Sequence, residues 1–188
     1  MSRTTDFDKE ETITKAMNIF WTKGYEGTTM RDLQTATGLQ KGSLYNTFKS
    51  KENLFLLCLE KYGANSATLF YVDGDPKNYI KKFFKRLVDE GVKEENVSGC
   101  LIMNSCIEFS NTKSAPAKKS KDLFATVEKN FENVVNAIKN KTTHDTHELK
   151  TNLITAAFSI REISKFKKDK KFLKQIANNV LKELDIAI

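Results

Sequence analysis

Proline and glycine are scarce, 2 and 8 in 188 residues. Sandwiches and barrels need both at regular turns, so the shortage points away from an all-β fold. Three cysteines, Cys58, Cys100 and Cys106, fit neither a disulfide framework nor a zinc spacing, and reduced thiols are expected. The two histidines, His144 and His147, stand beside Asp145 and Glu148 in a polar stretch that reads as a solvated loop rather than a metal site. The densest apolar run, Leu54 to Leu59, is far too short to cross a bilayer. Met1 to Glu11 is polar and mixed in charge, unlike a signal peptide. A cytoplasmic protein with no membrane association is the expectation. No nucleophile with its base, no phosphate-binding glycine loop and no metal cluster stand out, so neither an enzyme, a cofactor nor a metal is expected.

What is present is charge: 31 Lys and Arg against 24 Asp and Glu, a formal net charge of +7. That suits a polyanionic partner without proving one. Its distribution is uneven. Residues 1–55 hold 8 basic and 7 acidic residues, and the remainder holds 23 and 17. The basic excess therefore lies in the C-terminal part.

Helical periodicity runs through the chain. Ile13, Ala16, Met17, Phe20 and Trp21 form one apolar stripe that Gly24 ends. Met30, Leu33 and Ala36 share a face of a short helix over Thr29 to Thr37, with Thr28 or Thr29 as its cap, Asp32 in its first turn and Gly38 after it. A second short helix spans about Lys41 to Phe48. Ser50 caps a longer one running toward Tyr71. Asp75 and Pro76 start another, which carries Tyr79, Ile80, Phe83, Phe84, Leu87 and Val88. Further helices are expected from Gly99 to about Asn111, Leu123 to Ile138, Glu148 to Phe166 and Lys170 to Ile186. Polar connections are expected at Lys113 to Lys121 and Lys141 to His147. The fold class is all-α with about nine helices: a small N-terminal three-helix domain, residues 1–50, and a larger helical domain, residues 51–188.

Three helices in about forty residues, two of them short and joined by a glycine turn, are helix-turn-helix anatomy. The second helix of such a motif enters the major groove with its N-terminal residues at base edges. Here it opens with Gln40, Lys41, Gly42 and Ser43. Gly42 permits close approach to phosphate, Lys41 and Ser43 can donate, and Tyr45 carries a hydroxyl on a rigid ring. Lys51 adds a cation at the start of the next helix, where free amides also favour an anion. Leu39, Leu44 and Phe48 face inward. The run Ala16, Phe20, Gly24-Tyr25, Thr28-Thr29-Met30, Asp32-Leu33, Ala36, Gly38-Leu39, Lys41 to Tyr45, Phe48, Ser50 to Glu52 and Leu54 resembles the N-terminal domain of the TetR/AcrR family. Gly99 to Asn104 resembles a segment of some family branches.

That resemblance implies a transcriptional regulator, a repressor by the family's habit, binding a palindromic double-stranded operator as a homodimer and released by a small apolar effector. Thr29, Lys41, Tyr45 and Lys51 resemble phosphate or base contacts; Gln40, Ser43, Asn46 and Thr47 occupy the face that selects sequence. Gln34 and Thr37 depart from the alanines common in the family and bear on the tilt of the second helix against the third. The family's dimer use matches two stripes: Leu149, Leu153, Ala156, Ala157 and Ile160, and Phe172, Ile176, Val180 and Leu184. Tyr62, Phe70, Phe83, Phe84, Met103, Cys106, Phe109 and Phe158 are the candidate effector pocket, with Asn104 and Glu108 as its polar contacts. Two alternatives stand beside this. Cys100, near a helix N-terminus, could make the same fold a sensor of oxidants or electrophiles. A helical protein-interaction module is the rival from another class, and it leaves the basic and hydroxyl residues of the third helix unexplained.

Overall fold

The structure, a computed structural model, describes residues 7–67, 74–93, 98–138 and 145–188. Among them it is entirely helical, as expected, with α1 Lys9–Lys23, α2 Met30–Thr37, α3 Lys41–Phe48, α4 Lys51–Ala67, α5 Pro76–Gly91, α6 Leu101–Glu108, α7 Ala115–Ile138, α8 Thr146–Ile163 and α9 Lys170–Leu181. A 3-10 turn, Lys182–Leu184, follows α9.

Side-chain caps set most of these helix starts. Asp8 accepts from the amides of Glu10 and Glu11, Asp75 from Asn78, Asp145 from His147 and Glu148, and Asp169 from Phe172. Each satisfies amides that have no partner in the first helical turn. Pro76 occupies the first turn of α5, where its missing N–H costs nothing.

The stretch expected as a connection, Lys113 to Lys121, is helical from Ala115 on. Ser114 accepts from the Ala117 amide, and Pro116, Ala117 and Ser120 form a buried face of small residues. Such residues carry no hydrophobic periodicity, and the exposed Lys118 and Lys121 around them read as loop. The last helix also stops early, at Leu181 rather than Ile186.

Two cores result. One joins α1 to α4 with α6 and the start of α7: Ala16, Phe20, Leu33, Leu44, Phe48, Phe55, Leu59, Leu101 and Ile102 are all buried in it. The other joins α5, the second half of α7, α8 and α9 around Phe84, Ile138, Leu149, Leu153 and Leu173. Burying one such side chain contributes about 1.5–3 kcal/mol. The N-terminal core thus draws on residues far beyond 50, from α4 and α6.

Candidate nucleic-acid interface

The short second helix is built to hold its ends. Thr29 is its N-cap: the hydroxyl accepts from the Asp32 amide at 3.1 Å, while the Asp32 carboxylate accepts from the Thr29 amide at 2.8 Å. This reciprocal box satisfies two free donors. Lys23 closes on Asp32 at 2.5 Å, tying the end of α1 to the start of α2. The Lys23 hydrogen bond and the Thr29 donors hold the Asp32 carboxyl well below the usual carboxylate range. Gly38 ends α2 in the left-handed region, at φ 74°. Thr37 donates to the Leu33 carbonyl and accepts from the Leu39 amide, so this departure from the family's alanine is a strut inside the turn.

The third helix is pinned from below. Leu44 and Phe48, one turn apart, are buried with Leu33, and Leu39 packs against the same core. That leaves Gln40, Lys41, Gly42, Tyr45 and Asn46 exposed, with Ser43 and Thr47 partly so. Tyr45 is one of the few large side chains left open, 39% exposed, with the Lys41 ammonium 5.9 Å from its ring centre. A Cβ on Gly42 meets nothing within 4 Å, so no internal packing demands glycine there. Lys51 extends from the start of α4 with its ammonium 4.2 Å from the Tyr25 ring centre. Ser50 caps α4 by accepting from the Asn53 amide. The expected contact residues therefore lie on one face, along α3 and the neighbouring starts of α2 and α4. The geometry adjusts two of the expectations. The Thr29 hydroxyl proton is already donated to Asp32, at 2.7 Å. Arg31, absent from the expected set, is exposed and borders one surface concavity with Gln34, Thr35, Gly38, Leu39 and Gln40. Its position two residues after the Thr29 cap was the available signal.

The candidate pocket residues separate. Tyr62, Phe83 and Phe158 meet around a cavity of about 40 Å³, with Ser66, Cys100 and Arg161 also at its wall. Phe84 is buried in the C-terminal core, and Met103, Cys106 and Phe109 pack in the N-terminal one. Phe70 and His144 lie outside the described residues. Asn104 and Glu108 are not at this cavity. They border an open groove between α1 and α6. The Glu108 carboxylate accepts from the amides of Tyr25 at 3.0 Å and Glu26 at 2.8 Å. Gly24, at φ 74°, lets the chain pass so close that a Cβ there would sit 3.2 Å from that carboxylate. Asn104 donates to the Ser98 carbonyl and accepts from Lys165. Glu108 thus links α6 to the turn before α2, a contact across 83 residues that no sequence spacing announces.

Cys100 is the N-cap residue of α6 and is 5% exposed. It lies beside Tyr62, and its amide donates to Glu162 at 2.9 Å. Burial pushes the thiols of Cys58 and Cys106 up. Of the expected dimer stripe, Leu149, Leu153, Ala156, Ala157, Ile160, Val180 and Leu184 are buried in the chain's own core. Phe172 and Ile176, one turn apart on α9, remain accessible in whole or part.

Residues 13–58 match the sequence model of the family described as bacterial regulatory proteins, tetR family. These residues, from α1 into α4, form a domain of the tetR type. Over 109 residues it is 31% identical to the HTH-type transcriptional repressor ComR of Escherichia coli, covering 55% of this chain and 52% of that one. Over 112 residues it is 34% identical to the HTH-type transcriptional regulator YezE of Bacillus subtilis, covering 57% and 58%. The chain thus spans about half the length of these curated relatives. The fold resembles that of the TetR family regulator CifR, a cysteine-substituted form solved with a 26-base-pair operator duplex. That likeness has a TM-score of 0.76 at 21% identity and covers 96% of this chain and 98% of CifR.

Proposed function

We propose that this protein is a TetR-family regulator that represses transcription by binding a palindromic double-stranded operator as a homodimer in the cytoplasm. The observation that carries the reading is the open row on α3, Gln40 to Thr47, held rigid by buried Leu44 and Phe48. Lys41, Tyr45 and Lys51 supply donors around it, with Thr29 at the start of α2. Gln40, Ser43, Asn46 and Thr47 face base edges, and Gly42 admits a phosphate oxygen near the backbone. Residues 1–50 act as the DNA-binding domain and 51–188 as the regulatory one, with α4 and α6 shared in packing. CifR was solved on operator DNA, and ComR is named a repressor. No described helix is long and apolar enough to cross a membrane.

The homodimer assembles through α8 and α9, with Phe172 and Ile176 as the apolar contacts that each protomer's own core leaves available. A small apolar effector enters beside Tyr62, Phe83 and Phe158. The cavity of about 40 Å³ is far below the ~300 Å³ at which ligand pockets begin. Effector binding therefore displaces Phe83 or Phe158. DNase footprinting on the region upstream of the protein's own gene tests the reading. A protected palindrome supports it, and no protected sequence in the effector-free protein contradicts it.

A second reading of the trigger follows from Cys100, which lines the cavity beside Tyr62. An electrophile or oxidant entering there would modify Cys100 and change how it packs beside Tyr62. Operator release by such an agent that survives Cys100→Ser contradicts this alternative.

A further inference from the structure

We infer that the DNA-contacting surface does not end at the helix-turn-helix: the lysine-rich junction between α8 and α9 is a second surface for the phosphate backbone of duplex DNA. This rests on the operator-binding reading.

The placement comes first. α1 and α4 run antiparallel. Lys61 of α4 meets Glu10 at one end, and Lys51 lies over Tyr25 at the other. The end of α1 is therefore the end that presents Lys51. Helix α6 runs alongside toward it: the Gly99 carbonyl accepts from Trp21, and Glu108 sits on the Tyr25 and Glu26 amides. Lys165, at the end of α8, reaches Asn104 of α6 at 3.1 Å and borders the same groove as Lys23, Gly24 and Glu108. Helix α5 also ends there, with Gly91 against Ser164 and Leu173. The junction thus opens at the end of the C-terminal bundle nearest the recognition helix.

Its charge is one-sided. Lys165, Lys167, Lys168, Lys170, Lys171 and Lys174 join Arg161 in fourteen residues that hold only Glu162 and Asp169 as acids. The acids facing this end are occupied. Glu162 holds Lys165 and the Cys100 amide, Asp89 holds Lys170 and Lys85, and Glu90 holds Arg86 and lies 3.9 Å from Arg161. Asp169 caps α9 and lies 3.9 Å from Lys167. Among the described residues, no acid lies within ion-pair distance of Lys171 or Lys174. The rest of the interface needs this charge, because residues 1–55 are nearly neutral. A lipid surface fits less well. Phe166 is open, but it stands among Lys165, Lys167 and Lys168 with no apolar helical face beside it, and the exposed part of Phe172 belongs to the proposed dimer contact.

The test compares wild type with the triple variant Lys167→Gln, Lys171→Gln, Lys174→Gln on the footprinted upstream duplex. The expected result is an unchanged footprint and melting temperature, with weaker binding whose salt dependence flattens by about 0.9 for every phosphate no longer neutralised. Arginine at the same three positions restores the slope. Lys171→Gln alone gives a proportionate share of the change. An unchanged slope in the triple variant overturns the inference. So does a variant that loses only its association with phosphatidylserine vesicles. If wild type protects no DNA, the operator-binding reading itself fails. If it protects DNA and the two slopes coincide, this inference alone fails.

Discussion

The N-terminal unit and the C-terminal bundle use charge in opposite ways. Residues through Phe55 carry 8 cations and 7 anions, and several are engaged in fixed geometry: Lys23 on Asp32, Asp32 on Thr29, Lys51 over Tyr25. The remainder carries 23 cations and 17 anions, with its excess gathered on exposed lysines such as Lys171. Fixed donors on a rigid helix discriminate between sequences, whereas loosely held lysines attract any phosphate chain. On the proposed reading, the first region supplies specificity and the second sequence-independent attraction.

The largest expected effect tests whether the two regions fold as separate units. Leu44→Ala in α3 and Leu101→Ala in α6 each empty a fully buried site of the same core. Each should cost about 2–5 kcal/mol. Hydrogen exchange should show both variants loosening the amides of α1 to α4. Loosening confined to α5, α8 and α9 in Leu101→Ala would break the comparison, by making α6 part of the other unit. Lys51→Ala should cost ~1.5–3 kcal/mol of DNA affinity, the value of a charged hydrogen bond, with little change in melting temperature. Next in size is Thr29→Ala, which removes the cap of α2 and should lower stability by about 1 kcal/mol in a denaturant titration.

The smallest effect is acidic. Because the folded Asp32 carboxyl titrates below its ordinary value of 3.8, its contribution is complete above that value and is lost as pH falls toward the folded pKa. Asp32→Asn should flatten the stability–pH curve below about pH 4 and leave other acidic losses in place. A curve of unchanged slope in that window would mean the Lys23–Asp32–Thr29 cluster adds nothing to stability.

The N-terminal region was the more legible in sequence, for a physical reason. Its helices are short, so caps and glycine turns mark nearly every boundary, and α3 spans Lys41–Phe48 as expected. In the C-terminal region the stripe of α8 was visible, but periodicity says only that a face is buried, not against what. Leu149, Leu153 and Ile160 proved to be covered by their own chain. The start of α7 was hidden by Pro116 and small buried residues among lysines. Glu108 was assigned to a pocket from its spacing to Asn104, while its partners, the Tyr25 and Glu26 amides, are distant in sequence. Contacts of that kind depend on how α1 and α6 pack.

The placement of the DNA surface is tested most directly by one measurement: binding of the Tyr45→Ala, Lys51→Ala double variant to the footprinted duplex over a range of salt, beside its melting curve. The prediction is a melting temperature close to wild type, a large drop in affinity, and a salt dependence flatter by about 2, one for each phosphate no longer engaged. A folded double variant that binds with wild-type affinity and slope would contradict the placement of that surface on α3 and the start of α4.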